Sequence, residues 1–505
     1  MCRTRSIRPG ANAIGEPLPR NPGPHRHRLE HSADFADGAE EIARLKELGI
    51  GVVTTPQFIY SQGDTIGAFQ VESRAQQQMA PRLKPACFAD IAVEIAIVRP
   101  GPIQGGAVHP YLRRRAGLEP GSHLHPCLEP VLHKTLGVLL FQEQAIRVAM
   151  VAAGFSPGEA DLLRRALSRK NPAEALRALQ DRFVGGALRQ GLDEPTARAI
   201  FERLAGFAGY GFCESHAASF ALIAYQTLYL KHYAPAAFYC ALLNQQPMGF
   251  YAPEVVVGDA RRHGVAVLPP DVNRRYWRYP LAPDQQHGWG IRTGLSTVAG
   301  LGEQGWQRIE TARAPAPFQH LPDFCRRTAL PQAVVSNLIR AGACDGWGER
   351  RQLLWRLGEL DYRAHKLEME LPAIQVDLPA LDALERTVWE YELLGFSAAG
   401  QVMAQYREQL RRAGVLSTWQ VKESEAGQRV RVAGLVVVRQ RPGTAKGVLF
   451  MSLEDESGLL DLVVKPTTYE RLRPVVRHQP MICVEGGVQR SGGAVSVLVL
   501  GARAL

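Results

Sequence analysis

The sequence lacks long apolar segments. No apolar run in its 505 residues approaches the roughly 20 residues that a membrane-spanning helix needs. The N-terminus carries basic residues but no apolar core, so it does not have the pattern of a secretory signal peptide. From these two absences we expect a cytoplasmic protein that has no membrane partner.

The sequence also lacks paired cysteines. Its eight cysteines are scattered, and no two of them form a Cys-x-x-Cys pair. Neither a structural zinc site nor a disulfide framework is therefore indicated, and we expect reduced, mostly buried thiols. His25, His27 and His31 lie close together, but no cysteine or carboxylate pattern accompanies them, so no metal site is expected there.

What remains is the composition of a basic globular protein. The chain is 46% hydrophobic and 21% charged, which is compatible with three or more domains. Its formal net charge of +10 suits a polyanionic partner, although a merely basic protein would have the same excess. Residues 1–38 are rich in Arg, Pro, Gly and His without periodicity, and we expect them to be a disordered, atypical extension.

The most informative stretch is Gly209–Tyr233. Glycines and aromatic residues precede a long helical pattern that should end near its last residue, because Pro235 disfavours continuation. Ser215 is expected to cap this helix, and polar groups such as His216 at its start could meet an anion. The pattern is apolar nearly all round, which predicts a buried helix. The alternative is a plain core helix that follows a glycine-rich turn.

A second helix is predicted after residue 156. The sequence Ser156-Pro157-Gly158-Glu159 has the pattern of a capping box with proline at the first helical position. Helical spacing places a cationic set on one face, with Leu162, Leu163, Ala166 and Leu167 on the apolar opposite face. The cationic face consists of Arg164, Arg165, Ser168 and Arg169. Guanidinium groups in this arrangement suit phosphate binding, whereas a solvated cationic stripe is the alternative.

Three segments together resemble a known family. They are FAGYGFCESHAASFALIAYQTLYLKHYAPAAF around the predicted central helix, AIVRPGPIQGGAVHPYLRRRAG (Ala96–Gly117) and GVLLFQEQAIRVAMVAAGFSPGEADLLRRALSRKN (Gly137–Asn171). In order and spacing they resemble the fingers region of the bacterial DNA polymerase III alpha subunit, a C-family DNA polymerase. The form VEIAIVRPGPIQGGAVHPYLRRR is similar to the error-prone, damage-inducible branch of that family.

The resemblance implies an error-prone (translesion) DNA-directed DNA polymerase, a nucleotidyltransferase of DNA replication and repair. It implies binding of template–primer DNA and of deoxynucleoside triphosphates. Since fingers of this family supply positive charge to the nucleotide, the nucleotide-binding residues would be Arg164, Arg165 and Lys170. The DNA-binding residues would be Arg99, Arg113, Arg114, Arg169, Ser215, His216, Gly300, Gly302, Arg439 and Lys446. For the basic run at residues 113–115, a solvated face is the alternative.

Two later segments resemble nucleic-acid-binding modules. Gly290–Arg313 and Pro331–Gly348 resemble tandem helix-hairpin-helix repeats, in which the Gly300–Gly302 turn opens a helix whose amides can hold a phosphate. Residues 428–500 read as five short strands separated by Gly and Pro turns, and resemble an OB-fold. Arg439 and Lys446 lie on or beside its binding face, although plain packing and a structural barrel remain alternatives.

The predicted fold is multidomain, with mainly α fingers and helix-hairpin-helix regions followed by a small all-β OB-fold barrel. The expected boundaries after the N-terminal extension are a fingers region at 39–275, helix-hairpin-helix repeats at 276–348, a helical connector at 349–427 and the barrel at 428–505. A weak likeness to a sliding-clamp-binding peptide occurs at Gln375–Pro379. A sliding clamp and other translesion proteins are therefore possible partners.

The sequence shows no match to the catalytic centre of this family. Template-directed synthesis needs acidic ligands for Mg²⁺, which in this family lie in a palm domain. The sequence has no Asp-x-Asp, and Glu454-Asp455-Glu456 reads as a solvated barrel turn. We therefore expect no catalytic residue or metal ligand here, and a chain that is inactive alone, such as a truncated or frameshifted product that needs an upstream palm-containing chain. The alternative function is a non-catalytic DNA-binding module.

Overall fold

Helices form most of the chain ahead of residue 428, and strands form most of the chain behind it. The computed structural model describes residues 60–99, 108–121, 123–167, 173–207, 211–284, 288–360, 376 and 378–505. The predicted disordered extension lies outside these residues, as do Arg169, Lys170 and part of the clamp-like peptide. The predictions for them stay predictions.

The first eleven helices of the described residues build two packed layers and the connection to the next region. They are α1 (Arg74–Leu83), α2 (Phe88–Ile97), α3 (Val108–Arg115), α4 (Glu129–Leu132), α5 (Gln142–Ala153), α6 (Pro157–Leu167), α7 (Ala173–Arg189), α8 (Glu194–Gly206), α9 (Glu214–Tyr233), α10 (Pro235–Asn244) and α11 (Pro253–Arg262). One layer packs α9 against α1, α2 and α3, and the other joins α4 to α8 around its own apolar core.

The predicted central helix is confirmed as α9, but its predicted all-round burial is wrong. Its small residues face α2, and Ala217, Ala221 and Ala224 are fully buried. The larger apolar residues of the opposite face are between 40% and 53% exposed, and they are Ile223, Tyr229, Leu230 and Tyr233. Small side chains let the two helices approach closely, so a one-sided contact is enough to hold α9 in place.

The region that follows combines a small sheet with helices. Strands β1 (Val267–Leu268), β2 (Leu281–Asp284) and β3 (Gly288–Arg292) form a sheet in the order β1-β3-β2. The helices behind it are α12 (Gly302–Arg313), α13 (Leu321–Thr328), α14 (Gln332–Arg340), α15 (Arg350–Glu359), α16 (Ala383–Leu394), α17 (Val402–Arg412) and α18 (Thr418–Glu423). The start of the predicted hairpin at residue 290 is thus a strand, and its helix begins at Gly302.

The last region is a closed five-stranded barrel. Its strands are β4 (Arg429–Gln440), β5 (Leu449–Asp455), β6 (Gly458–Val464), β7 (Met481–Ser491) and β8 (Ala494–Ala504), in the order β4-β5-β6-β8-β7, and α19 (Pro466–His478) connects β6 to β7. Strands β6 and β8 pair in parallel and the other pairs are antiparallel. The predicted fold class, helical regions followed by an OB-like barrel, is confirmed.

Short 3-10 turns complete the described chain, at Pro126–Leu128, His133–Thr135, Leu295–Thr297, Asp345–Trp347 and Gly443–Ala445. Turns occupy residues 65–73 ahead of α1, and Ser73 caps that helix. Within the described residues, no helix is long and apolar enough to cross a membrane.

Candidate nucleic-acid interface

The N-terminal end of α9 is held against the start of α5. The backbone of Phe212 accepts a hydrogen bond from the Gln142 amide at 2.9 Å, and the Gln142 side chain donates to the Gly211 carbonyl at 2.8 Å. A Cβ on Gly211 would lie 2.5 Å from the Phe207 ring and 2.9 Å from Gln142. Glycine is therefore required there, because the two segments approach more closely than a side chain permits.

Four rings and a guanidinium line up along the open face of this end. We call them the ring column: Arg99, Phe212, His216, Phe220 and Phe69. The guanidinium carbon lies 4.2 Å from the Phe212 ring centroid, and centroids then follow at 5.2, 4.0 and 5.3 Å. His216 is exposed. Edge-to-face contacts at these distances are favourable, and the cation lies over a ring face.

The ring column joins two residues that the sequence predicted to bind DNA, Arg99 and His216. It also adds three rings that the sequence prediction missed. Phe212, His216 and Phe220 follow one another at intervals of four residues, so a helical reading of the sequence could have placed them on one face. Phe69 comes from a distant turn, and no local pattern could have indicated its contact.

The predicted capping of α9 by Ser215 is wrong. The N-cap residue is Cys213, whose side chain makes no capping hydrogen bond. The amide of Glu214 instead donates to the Glu143 carboxylate of α5 at 2.9 Å. A carboxylate from the protein therefore meets the first amide of the helix, and Ser215 is exposed, with its hydroxyl 3.1 Å from the Cys213 sulfur.

The arginine helix α6 has the predicted start. Ser156 and Glu159 exchange capping-box hydrogen bonds, with the Ser156 amide 2.8 Å from the Glu159 carboxylate. Leu162, predicted on the buried face, is 59% exposed, so that part of the face prediction is wrong. The buried side of α6 is narrow, because Ala160, Leu163 and Ala166 alone are buried among the residues whose side chains are described in this helix.

Arg164 and Arg165 share one carboxylate. Their Nε atoms lie 2.8 and 2.7 Å from the two oxygens of Asp161, and the side chains are 31% and 67% exposed. The hydrogen bond from Arg164 lowers the pKa of Asp161. Both guanidinium groups lie at the surface of α6, and Arg165 is the more accessible of the two. This helix belongs to the layer of α4 to α8, whereas the ring column lies on the layer that contains α9.

The three arginines of the basic run in α3 differ in how they are bonded to the rest of the protein. Arg115 binds Asp90 with an Nη1 to Oδ1 distance of 2.6 Å. Arg114 donates to the Leu136 carbonyl at 2.6 Å. Arg113 pairs with Glu119 at 2.9 Å and is 61% exposed. Arg115 therefore has a structural role, while Arg113 is the most accessible of the three.

The glycine turn ahead of α12 has the geometry predicted for it. Gly300 and Gly302 have φ angles of 84° and 61°, a region that favours glycine. A Cβ at Gly302 would meet nothing within 4 Å, so the space beside the helix start is open. Asn337 of the companion helix α14 donates to the Ala299 carbonyl at 2.8 Å and fixes the turn.

The two predicted barrel cations have different surroundings. The Arg439 guanidinium donates to the carbonyls of Val476, at 2.9 Å, and Gln479. It is therefore held against the end of α19. Lys446 is exposed in the loop between β4 and β5, with a φ angle of 48°. Both keep a positive charge at the barrel surface.

The acidic triplet of the barrel is not the solvated turn that the sequence suggested. Glu454 and Asp455 end strand β5 and are 1% and 0% exposed. Glu454 lies 2.9 Å from the Arg262 guanidinium of α11. Asp455 accepts from Thr418 at 2.6 Å and from Arg407 at 2.8 Å. These carboxylates join the barrel to the helical region, because a buried charge requires such partners.

A cluster of possible metal ligands occurs elsewhere in the described residues, at Asp64, Asp259 and His263. The fully buried Lys231 ammonium lies 2.7 Å from Asp64 and 2.9 Å from Asp259. Burial acts against its charge, but the two carboxylates outweigh burial and raise the pKa of Lys231. His263 contacts Asp64 at 2.7 Å. Lys231 and Arg262, which lies 3.3 Å from Asp259, already pair with these carboxylates, so the cluster does not fit Mg²⁺.

Comparison with protein families assigns three regions. Residues 55–191 match the bacterial DNA polymerase III alpha subunit finger domain, residues 264–354 match a helix-hairpin-helix motif, and residues 430–505 match an OB-fold nucleic acid binding domain. The predicted resemblance is therefore confirmed. A solved asparaginyl-tRNA synthetase from Pyrococcus horikoshii is 24% identical over 18% of this chain and 23% of its own, with a TM-score of 0.16, which is too low for a structural argument.

Several curated relatives are named error-prone DNA polymerase. One from Anaeromyxobacter sp. (strain K) is 47% identical over 448 residues, which are 87% of this chain and 40% of the relative. One from Teredinibacter turnerae is 45% identical over 85% of this chain and 42% of the relative. Error-prone DNA polymerase 2 from Rhizobium meliloti is 42% identical over 90% and 44%. The chain spans less than half the length of these relatives.

Proposed function

We propose that this chain is the nucleotide- and DNA-binding part of an error-prone DNA polymerase, because residues 55–191 match the bacterial DNA polymerase III alpha subunit finger domain. In this proposal it binds template–primer DNA and an incoming deoxynucleoside triphosphate. The reaction served is template-directed nucleotidyl transfer.

The observation that carries the proposal is the ring column at the open end of α9. Bases stack on aromatic side chains whatever their sequence, because every base has a π face. His216 and Phe220 offer rings at the centre of the column, and Arg99 adds a cation at one end. Such a surface suits a base and its phosphate together.

The arginine helix supplies phosphate binding in this proposal. Arg164 and Arg165 present two guanidinium groups against the single carboxylate of Asp161. Guanidinium groups bind phosphate in a planar, two-pronged geometry. The triphosphate would contact them and Lys170, while Arg113 and the turn at Gly302 would contact the phosphates of the duplex.

The metal ions that nucleotidyl transfer needs are proposed to be held from outside the described residues. The described cluster of Asp64, Asp259 and His263 already pairs with Lys231 and Arg262, so these residues do not supply the ligands. Bound Mg²⁺ would neutralise developing charge on the reacting phosphates. A palm-containing chain is the partner that this proposal requires, and a sliding clamp is a further possible partner.

Binding and extension assays test the proposal separately. Fluorescence anisotropy with a labelled primer–template should show binding that weakens with salt. The R164A/R165A double variant should lower the slope of log affinity against log salt by about 2, since each lost phosphate contact removes about 1. Arg198→Ala, an exposed arginine paired with Glu194 in α8, is the matched control and should keep the slope.

The extension assay uses the same purified chain, primer–template, all four nucleotides and Mg²⁺. We expect no measurable extension by the chain alone. Robust extension would contradict the proposal that a palm-containing partner chain supplies the metal ligands. Absence of any DNA binding at low salt would contradict the proposed function itself.

A further inference from the structure

A cavity of about 250 Å³ lies between the loop that joins α10 to α11 and strand β4 of the barrel. It shares no lining residue with the ring column. Its walls include Arg74, Phe250, Tyr251, Val437, Arg439 and Gln440. We propose that this cavity binds one unpaired base of single-stranded DNA that follows the barrel, an inference that rests on the proposed DNA-binding function and adds a subsite to it.

The loop presents Phe250 to the cavity because its neighbours are fixed. The Tyr251 hydroxyl donates to the Glu72 carbonyl at 3.0 Å and accepts from the Gln77 side chain at 3.2 Å. Gly249 has a φ of +71°, and a Cβ there would lie 2.9 Å from the Glu72 carboxylate. With both neighbours held, Phe250 projects outward and is 64% exposed. An exposed phenyl ring on a fixed backbone is a stacking surface.

The opposite wall is shaped by an irregularity in β4. The register between β4 and β5 shifts between Val436 and Val438, so Val437 is an extra residue in its strand. A bulge of this kind redirects side chains and increases the local twist. Val437 and Val438 pack against the core of the helical region, and they add apolar surface to the lining of the cavity.

An ion pair beside the cavity joins the helical region to the barrel. Arg74 of α1 lies 2.6 Å from the buried Asp461 carboxylate of β6, which also accepts from Ser452 at 2.8 Å. A partly buried, two-sided pair of this kind is well ordered, since each group has several partners. The cavity is therefore built by two regions that a direct contact connects.

The chemistry of the cavity fits a nucleobase. Its volume is slightly below the roughly 300–1,000 Å³ typical of drug-sized ligands, which suits a single planar base. Phe250 and Val437 offer apolar contact to the base faces, and the exposed Gln440 amide offers both a donor and an acceptor to a base edge. Arg439 is bonded to carbonyl oxygens, not to a carboxylate, and so offers positive charge to the adjoining phosphate.

A fluorescence experiment tests the subsite on the full chain. Single-stranded oligonucleotides carry 2-aminopurine at one position each, and their fluorescence and affinity are measured with the wild-type chain and with Phe250→Ala. We expect quenching at a restricted position for the wild type, loss of that quenching in the variant, and an affinity about 5- to 100-fold weaker, in line with the loss of one stacked base. Affinity for blunt duplex should not change.

Two further variants make the result decisive. Gln440→Ala should also weaken single-strand binding, whereas Trp355→Ala, an exposed aromatic of α15 far from the cavity lining, should not. If the wild-type chain binds single strands and Phe250→Ala leaves both quenching and affinity unchanged, the subsite is wrong and the proposed function stands. If the wild-type chain binds neither single strands nor primer–template, both proposals are wrong.

Discussion

At its N-terminal end α9 presents the exposed His216 within the ring column, whereas at its C-terminal end Lys231 is fully buried between the carboxylates of Asp64 and Asp259. At the N-terminal end, His216 contacts aromatic rings and remains exposed to solvent. The second end has its charge neutralised inside the protein. One helix therefore carries a candidate binding surface and a structural anchor about four turns apart.

The comparison teaches that a charged residue near a conspicuous motif need not serve binding. Lys231 also donates to the Ile66 carbonyl at 3.2 Å, so it connects α9 to the turn ahead of α1. The nearby His263 is hydrogen-bonded to Asp64, so it also belongs to the anchor and does not serve binding. The anchor end thus keeps the open end in position, and the two should respond differently to substitution.

The largest expected effect is on the anchor. Lys231→Met should lower the free energy of unfolding by about 3–5 kcal/mol, because two carboxylates would lose their buried partner. Lys134→Met is the matched control at the open end, where the lysine pairs with Glu214 but is 37% exposed, and it should cost less than about 1 kcal/mol. Urea denaturation at pH 7 measures both. Equal losses would contradict the distinction between the two ends.

The next largest expected effect is on the free energy of unfolding, and it concerns α2, against which α9 packs. Glu94 of α2 is fully buried beside the Tyr60 hydroxyl, and burial raises its pKa from 4.5 to about 8, more than this hydroxyl lowers it. Between those values the folded state binds more protons than the unfolded state, so stability falls as pH rises. Glu94→Gln should remove that penalty and stabilise by about 3 kcal/mol at pH 7.

Thermal or urea unfolding from pH 4.5 to 8 checks this dependence. The difference between Glu94→Gln and the wild type should grow with pH across the range and be small at its acidic limit. Glu129→Gln, at an exposed position of α4, is the control and should show no such growth. A constant difference at every pH would mean that the carboxyl group of Glu94 does not titrate as its burial requires.

The smallest expected effect is on binding at the open end. His216→Ala should weaken primer–template affinity by about 5-fold or more, since one stacking ring is lost from the column. His232→Ala, an equally exposed histidine at the anchor end of α9, should leave affinity unchanged. Anisotropy titrations at one salt concentration compare the two. The unfolding free energy of both variants should stay close to that of the wild type.

Local sequence patterns were sufficient for much of the fold. Pro235 ended α9 as expected, the capping box at Ser156 began α6, and the five short segments between Gly and Pro turns are the barrel strands. These features depend on residues adjacent in sequence, so the chain itself contains the information.

The features that the sequence did not reveal depend on distant contacts. Cys213 rather than Ser215 begins α9 because Glu143, 71 residues away, meets the first amide. Glu454 looked like a turn residue because its partner Arg262 lies 192 residues away. Tyr229 and Leu230 are exposed because α9 packs through its alanine face. The apolar periodicity of the sequence does not show which face of the helix packs.

Chemical modification of the two histidines of α9 tests the central claim most directly. Both His216 and His232 are exposed, so diethyl pyrocarbonate should modify both in the free chain, as quantified by mass spectrometry. With saturating primer–template, we predict strong protection of His216 and none of His232. Protection of His232 alone, or equal modification of both in the presence of bound DNA, would contradict the assignment of the binding surface to the N-terminal end of α9.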